Sequence, residues 1–137
     1  MTILRISDTP LDLASHLEAV DSPHSGAVVT FIGRVRDHDP AVTGPVTLLE
    51  YSAHPSAVEV LRGLVERIVP NGILVAVSHR VGRLEVGDLA VIVCVSSAHR
   101  AEAYEVSRKL IEAIKAELPV WKKQHRADGT HDWVGLS

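Results

Sequence analysis

Cysteine is nearly absent from this chain, and so are aromatic side chains, long apolar runs and any large excess of charge. Each shortage removes a class of function. One cysteine, Cys94, excludes an intramolecular disulfide. It lies in Val91-Ile92-Val93-Cys94-Val95, a run that reads as a buried strand, where a thiol is a small core residue rather than a nucleophile. Apolar stretches such as Leu89 to Val95 fall far short of the roughly 20 residues a membrane-spanning helix needs. The first charge comes at Arg5, too early for the apolar centre of a signal peptide, so a cytoplasmic protein is expected. A net charge of −3 does not advertise a nucleic-acid binder.

What remains is an ordinary globular composition. With 137 residues, 46% hydrophobic and 23% charged, the chain is expected to form a single domain (1–137) with its own core. The distribution of charge says more than its sum. Arg100, Arg108, Lys109, Lys115, Lys122, Lys123 and Arg126 all fall in the last third, which points to a site for a small anion. The eight histidines include no i,i+4 pair on a helix and have no carboxylate or thiol at ligand spacing. Neither a metal site nor a cofactor is expected.

Period and punctuation give the order of elements. Ile3 to Ile6 reads as a short strand, and Asp8 as the N-cap of a helix to about Val20 with Pro10 in its first turn. Gly26 to Val35 and Val46 to Tyr51 are strands separated by a turn-rich loop, His38 to Pro45. Pro55 to Ile68 is an amphipathic helix with Val58, Leu61, Leu64, Val65 and Ile68 on one face, stopped by Pro70-Asn71-Gly72. Ile73 to Val81 and Asp88 to Ser96 are further strands, with Gly82 to Gly87 as their connection. The longest helix opens at Ser97 or His99 and runs to about Leu118, where Pro119 breaks it. Val120 to His125 is extended, Asp128-Gly129 turns, and Asp132-Trp133-Val134 closes the chain. Mixed strands and helices without a glycine-rich phosphate loop make one α+β sandwich.

On a wheel of about 100° per residue, Tyr104, Ser107, Leu110, Ile111, Ile114 and Leu118 share the core-facing arc of the long helix. Lys115 sits at the edge of that arc. It is either a snorkelling lysine with its stem on the core or a functional amine. Arg100 projects onto the same arc in the first turn, beside His99. Either that turn frays and Arg100 points outward, or His99, Arg100 and the free N–H groups there form an anion cradle. After Pro119, alternation places Val120 and Lys122 on one strand face and Trp121 and Lys123 on the other. The two lysines are edge-strand guards, or part of a site. Clustered cations favour loss of a proton from one of them, so a lysine near Lys122 and Arg36 is a candidate nucleophile or base.

Five blocks, in order, closely resemble the large catalytic subunits of molybdopterin synthase. They are Gly26 to Arg36 (GAVVTFIGRVR), Leu49-Glu50-Tyr51, His79 to Leu84 (HRVGRL) with Gly87-Asp88, Ser97-Ala98-His99-Arg100, and Lys115 with Pro119-Val120-Trp121-Lys122-Lys123. The resemblance implies an α/β-hammerhead-like sandwich with an added antiparallel β subdomain. It also implies a homodimer carrying a small ubiquitin-like sulfur-carrier subunit at each end, a heterotetramer overall. The carrier's Gly-Gly thiocarboxylate tail would enter a pocket of the large subunit, and sulfur would pass to cyclic pyranopterin monophosphate to make the molybdopterin dithiolene. By the same resemblance Lys115 and Lys122 are the catalytic pair, Phe31 and Arg36 belong to the pocket, and His99, Arg100 and Lys123 contact substrate.

An acyl thiocarboxylate donor needs no cysteine on the acceptor enzyme but does need cations, which fits the composition. Helix length adds a constraint. Arg100 and Lys115 are 15 positions apart, about 22 Å along one helix, so a shared site would need Arg100 from the second subunit. The chain departs from the resemblance at His54-Pro55, at the acidic turn Asp37-His38-Asp39-Pro40 and in the tail Gly135-Leu136-Ser137. Two other readings compete: a non-enzymatic docking module for a ubiquitin-like partner, and a small anion-sensing regulator. The Lys115 and Lys122 spacing around Pro119 favours the enzyme.

Overall fold

The computed structural model describes residues 2–37 and 45–134. The expected loop at His38, the Asp39-Pro40 turn and the tail from Gly135 lie outside them. In chain order the elements are β1 (Ile3–Ser7), α1 (Leu13–Ala19), β2 (Ala27–Arg34), β3 (Val46–Ala53), α2 (Ala57–Ile68), β4 (Leu74–Arg80), β5 (Gly82–Glu85), β6 (Leu89–Ser97), α3 (Arg100–Glu117), β7 (Val120–Arg126) and β8 (His131–Val134).

Two four-stranded sheets result, ordered β1-β4-β6-β2 and β5-β3-β7-β8. In the first, β1 runs parallel to β4 while the other pairs are antiparallel. The second is antiparallel throughout. This matches the expected α+β sandwich with an added antiparallel sheet. The β4 and β6 strands carry the β-branched runs because both their faces are covered. On one face Val75, Val77, Val93 and Val95 pack against Leu61 and Leu64 of α2 and Val106, Leu110 and Ile114 of α3. On the other, Ala76, Ile92 and Cys94 meet Ala19 and Val20 at the end of α1. A third cluster, Val35, Val46, Leu49, Leu84 and Ala90, joins the two sheets. No helix among the described residues is long and apolar enough to cross a membrane.

Three sequence expectations need correction. The cap of α1 is Asp12, whose carboxylate accepts from the Ser15 N–H, and not Asp8. The Ser7 hydroxyl holds the Thr9 backbone in a local turn, so the chain around Asp8 is already engaged before the helix starts. The Gly82 to Gly87 connection contains strand β5, which leaves the first sheet and pairs with β3 in the second. Only Leu84 in it is buried, so no alternation announced it. Finally, Tyr104 is 63% exposed, and the buried stripe of α3 runs through Ala103, Val106, Ser107, Leu110 and Ile114. The small Ala103 lets the helix approach the sheet and turns the aromatic outward.

His16 pins α1 to the first sheet. It is buried, with Nδ1 donating to the Asp12 carbonyl at 2.6 Å and Nε2 sharing a 2.6 Å bond with the Ser78 hydroxyl of β4. His16→Ala strands the fully buried Ser78 hydroxyl and leaves a void. The unfolding free energy should fall by about 2–4 kcal/mol, read from urea denaturation; an unchanged midpoint would show that the bond adds nothing.

Candidate active site

A cleft of about 370 Å³ opens where the two sheets meet the C-terminal end of α3. Its apolar lining includes Phe31 of β2, Leu49 of β3, Val91 of β6, and Ile114 and Leu118 at the end of α3. Set into these walls are Arg34 and Arg36, Lys115 and Lys122, while no aspartate or glutamate lines the cleft among the described residues. Four cations over an apolar floor give the cleft a local positive potential, which favours an anion with a flat or apolar body.

Local sequence explains how these side chains meet. Pro119 cannot continue α3, and Leu118 before it adopts the extended conformation (φ −69°, ψ 122°) that a following proline favours. The Pro119 carbonyl accepts from the His54 N–H at 3.0 Å, tying the break to the end of β3. The chain therefore turns back at once as β7, and its alternation sends Val120, Lys122 and Gln124 into the cleft. Lys122 is registered opposite Tyr51 of β3, and Gln124 opposite Leu49. On β2, a bulge between Gly33 and Arg34 shifts the register against β6. Gly33 is required there: a Cβ would lie 2.5 Å from the Val91 side chain. Gly87, at φ 93°, comes within reach of the Arg34 guanidinium, 3.6 Å from where its own Cβ would be.

Of the residues named from sequence, Phe31, Arg36, Lys115 and Lys122 line this one cleft. Lys115 is exposed, on the flank of the buried stripe. Lys123 points to the opposite face of the second sheet, with its Nζ 5.5 Å from the centre of the Trp133 ring and its backbone registered against Glu50. His99 and Arg100 lie at the other end of α3, both exposed and neither in the cleft lining. His99 makes no side-chain cap bond; its carbonyl accepts from the Ser97 hydroxyl at 2.6 Å. Within one chain, then, the candidates fall into a cleft group, a Lys123 surface and a helix-start pair.

Tyr51, His79, Gln124 and Arg34 also line the cleft and were not among the site residues named from sequence, although His79-Arg80, like His99-Arg100, stands at an element end where an anion contact suits it. Alternation could have found Gln124, two positions after Lys122, and Tyr51, two after Leu49. The Tyr51 and His79 rings meet edge to face, 5.1 Å between centroids and 74° between planes. Burial pushes the Tyr51 hydroxyl up and the His79 imidazole down, so each favours its neutral form. Cys94, by contrast, is in the opposite face of the first sheet, fully buried, its thiol pushed up by burial and 3.6 Å from the Thr30 hydroxyl. Among the described residues no three His, Cys, Asp or Glu side chains gather as metal ligands.

The chain matches the MoaE protein family model over residues 6–117. The molybdopterin synthase catalytic subunit 1 of Mycobacterium tuberculosis is 42% identical over 134 residues, covering 96% of this chain and 89% of that protein. The molybdopterin synthase catalytic subunit of Halalkalibacterium halodurans is 42% identical over 134 residues, covering 95% and 83%. Among solved structures, a molybdopterin synthase from Staphylococcus aureus superposes with a TM-score of 0.87 at 34% identity, covering 95% of each chain. The MoaE protein of Burkholderia ambifaria superposes at 0.80 with 30% identity, covering 98% and 90%. A family match across most of the sequence, with relatives alike in both sequence and backbone, means that this chain belongs to the MoaE family.

Proposed function

We propose that this chain is the catalytic subunit of a molybdopterin synthase, moving sulfur from the thiocarboxylated tail of a small ubiquitin-like carrier to cyclic pyranopterin monophosphate. The observation that carries the reading is the composition of the cleft: Arg34, Arg36, Lys115 and Lys122 around an apolar floor, with no carboxylate and no thiol lining it among the described residues. Both reactants are anions, one through its thiocarboxylate and the other through its phosphate. Neither calls for a cysteine on this chain, and its one cysteine faces away from the cleft in the core. The relatives from Mycobacterium tuberculosis and Halalkalibacterium halodurans, both named as molybdopterin synthase catalytic subunits, support the same reading.

In this mechanism Lys115 holds the thiocarboxylate and serves the proton transfers of ring opening and sulfur addition. Lys122 and Arg36, fixed on β7 and after β2, stabilise negative charge as it develops on the substrate. Phe31 supplies a flat apolar wall for the pterin. Two sulfur additions, each from one thiocarboxylate, give the dithiolene, and at each one water supplies the oxygen with which the carrier leaves as a carboxylate. His99 and Arg100 contact substrate in the site of a second copy of the chain, because α3 separates them from their own Lys115 by about 22 Å. The assembly is then a homodimer with one carrier at each end.

Lys115→Ala should lower dithiolene formation from thiocarboxylated carrier and cyclic pyranopterin monophosphate by roughly 10²–10³-fold. Lys115→Arg should restore carrier binding but not turnover, since arginine keeps the charge and holds its proton. Wild-type rates in Lys115→Ala would remove it from the mechanism. Mixing Arg100→Ala with Lys115→Ala subunits should recover about a quarter of wild-type sites, because half the dimers are mixed and each rebuilds one of its two sites. No recovery would place Arg100 outside the shared site. Cys94→Ala should leave turnover within about twofold of wild type while costing a little core packing; a dead but folded variant would overturn the thiol-free mechanism.

A further inference from the structure

The cleft is rich in donors and poor in acceptors. Arginine and lysine side chains only donate when charged. A substrate held by them through its anionic groups still has its own N–H and O–H protons to satisfy, and any reaction that sheds one needs somewhere to put it. His79 meets that need by its geometry. It sits near the end of β4, next to the point where the chain leaves the first sheet for β5, and it lines the cleft. Its Nδ1 lies 2.8 Å from the Arg80 carbonyl oxygen. A carbonyl can only accept, so Nδ1 carries the ring proton, and in the neutral ring Nε2 is left with its lone pair. No hydrogen bond to Nε2 is made by any of the described residues. The edge-to-face contact with Tyr51 fixes the plane of the ring, and the backbone bond fixes its rotation.

We propose that His79 is the proton acceptor of this cleft, its Nε2 taking a hydrogen bond, and in turnover the proton, from an N–H or O–H of the bound small-molecule substrate. The inference rests on the function proposed above and adds to it a residue with direct substrate contact. The proton passes from the substrate heteroatom to Nε2, giving an imidazolium that returns it to solvent or to the leaving carrier; no electrons are exchanged.

Every group around the ring keeps it ready for that role. Its cross-strand neighbours are apolar, Ile6 on β1 and Val91 on β6. The second sheet presents Tyr51 from β3 and Lys122 from β7; α3 presents Lys115; Arg34 and Arg36 come from β2 and the residues after it. None of these is an anion that would stabilise an imidazolium in the resting enzyme. Burial lowers the His79 pKa further, with the Arg80 carbonyl opposing it in part. The ring is therefore neutral at pH 7, and it charges only below the ordinary histidine range near 6.5.

Two amide substitutions separate the ring's two nitrogens. Asparagine places its polar atoms near Nδ1 and loses the Nε2 acceptor, whereas glutamine reaches the Nε2 position and loses the tie to Arg80. His79→Asn should lower kcat/KM for cyclic pyranopterin monophosphate, with thiocarboxylated carrier saturating, by about tenfold or more. His79→Gln should bind substrate almost normally, with a reduced kcat and without the acid limb that wild type shows below pH 6.5. Nitrogen-15 spectra of the wild-type imidazole should report the Nδ1–H form in the free protein and a perturbed Nε2 when substrate is added. If wild type turns over normally and His79→Asn keeps wild-type kcat/KM with an unchanged acid limb, His79 is a packing residue and the inference fails alone. A wild-type enzyme that forms no product with these reactants would instead overturn the proposed function, and this role with it.

Discussion

The break in the chain at Pro119 is the constraint on which the site depends. A helix as long as α3 would carry its side chains away from the sandwich if it continued. Proline ends it by removing one backbone donor and crowding the preceding turn. The bond from the His54 N–H to the Pro119 carbonyl then lays the next residues beside β3, where β7 becomes an inner strand of the second sheet. One covalent feature thus terminates a helix, seeds a sheet and folds two lysines of one short segment onto a common cleft. Because β7 is hydrogen-bonded on both sides, to β3 and β8, Lys122 stands on a rigid base. Lys115, on the exposed flank of α3, has a longer and looser reach.

The two sheets divide the labour. The first has its central strands covered on both faces and is held by apolar contacts alone, apart from a few buried hydroxyls and His16. The second contributes polar groups on alternate positions and has one face open, with Trp121 and Trp133 partly exposed on it. The cleft lies at the seam, so that a wall carrying Phe31, Val91 and His79 from the first sheet faces a wall whose strands can carry charge. An all-apolar seam would close up under the hydrophobic effect; here the side chains of Arg34, Arg36, Lys115 and Lys122 make it costly to bury.

Much of this was legible in the sequence, for identifiable reasons. Dense β-branched runs gave β2 and β6, and the apolar period of α2 and α3 gave the helices, because burial on two faces or one stripe leaves a periodic record. Strand β5 left none, having a single buried side chain, and the start of α1 turned on local bonds, the Ser15 N–H to the Asp12 carboxylate and the Ser7 hydroxyl to the Thr9 carbonyl, that leave no periodic mark. Tyr104 was misplaced because a wheel assigns faces by size and polarity, whereas close packing on a sheet rewards the small Ala103. In the site, Phe31, Arg36, Lys115 and Lys122 could be named one by one, yet nothing in their spacing says that they share a cleft with His79. His79 shares the first sheet with Phe31, whereas Lys122 stands on the second, and their meeting depends on how the sheets pack. Alternation tells which side of a strand a residue is on, but not what stands opposite.

The burial of Cys94 has a consequence for life in an oxidising cell. Peroxides act on thiolates they can reach, and methionine sulfur is the next target. This chain contains one cysteine, held protonated behind α1, and one methionine, Met1. Among the described residues, the lining of the cleft offers oxidants no sulfur. Whatever sulfur passes through the cleft is then exposed only for as long as it is in transit, and oxidative damage falls on the cargo and spares the machine that handles it.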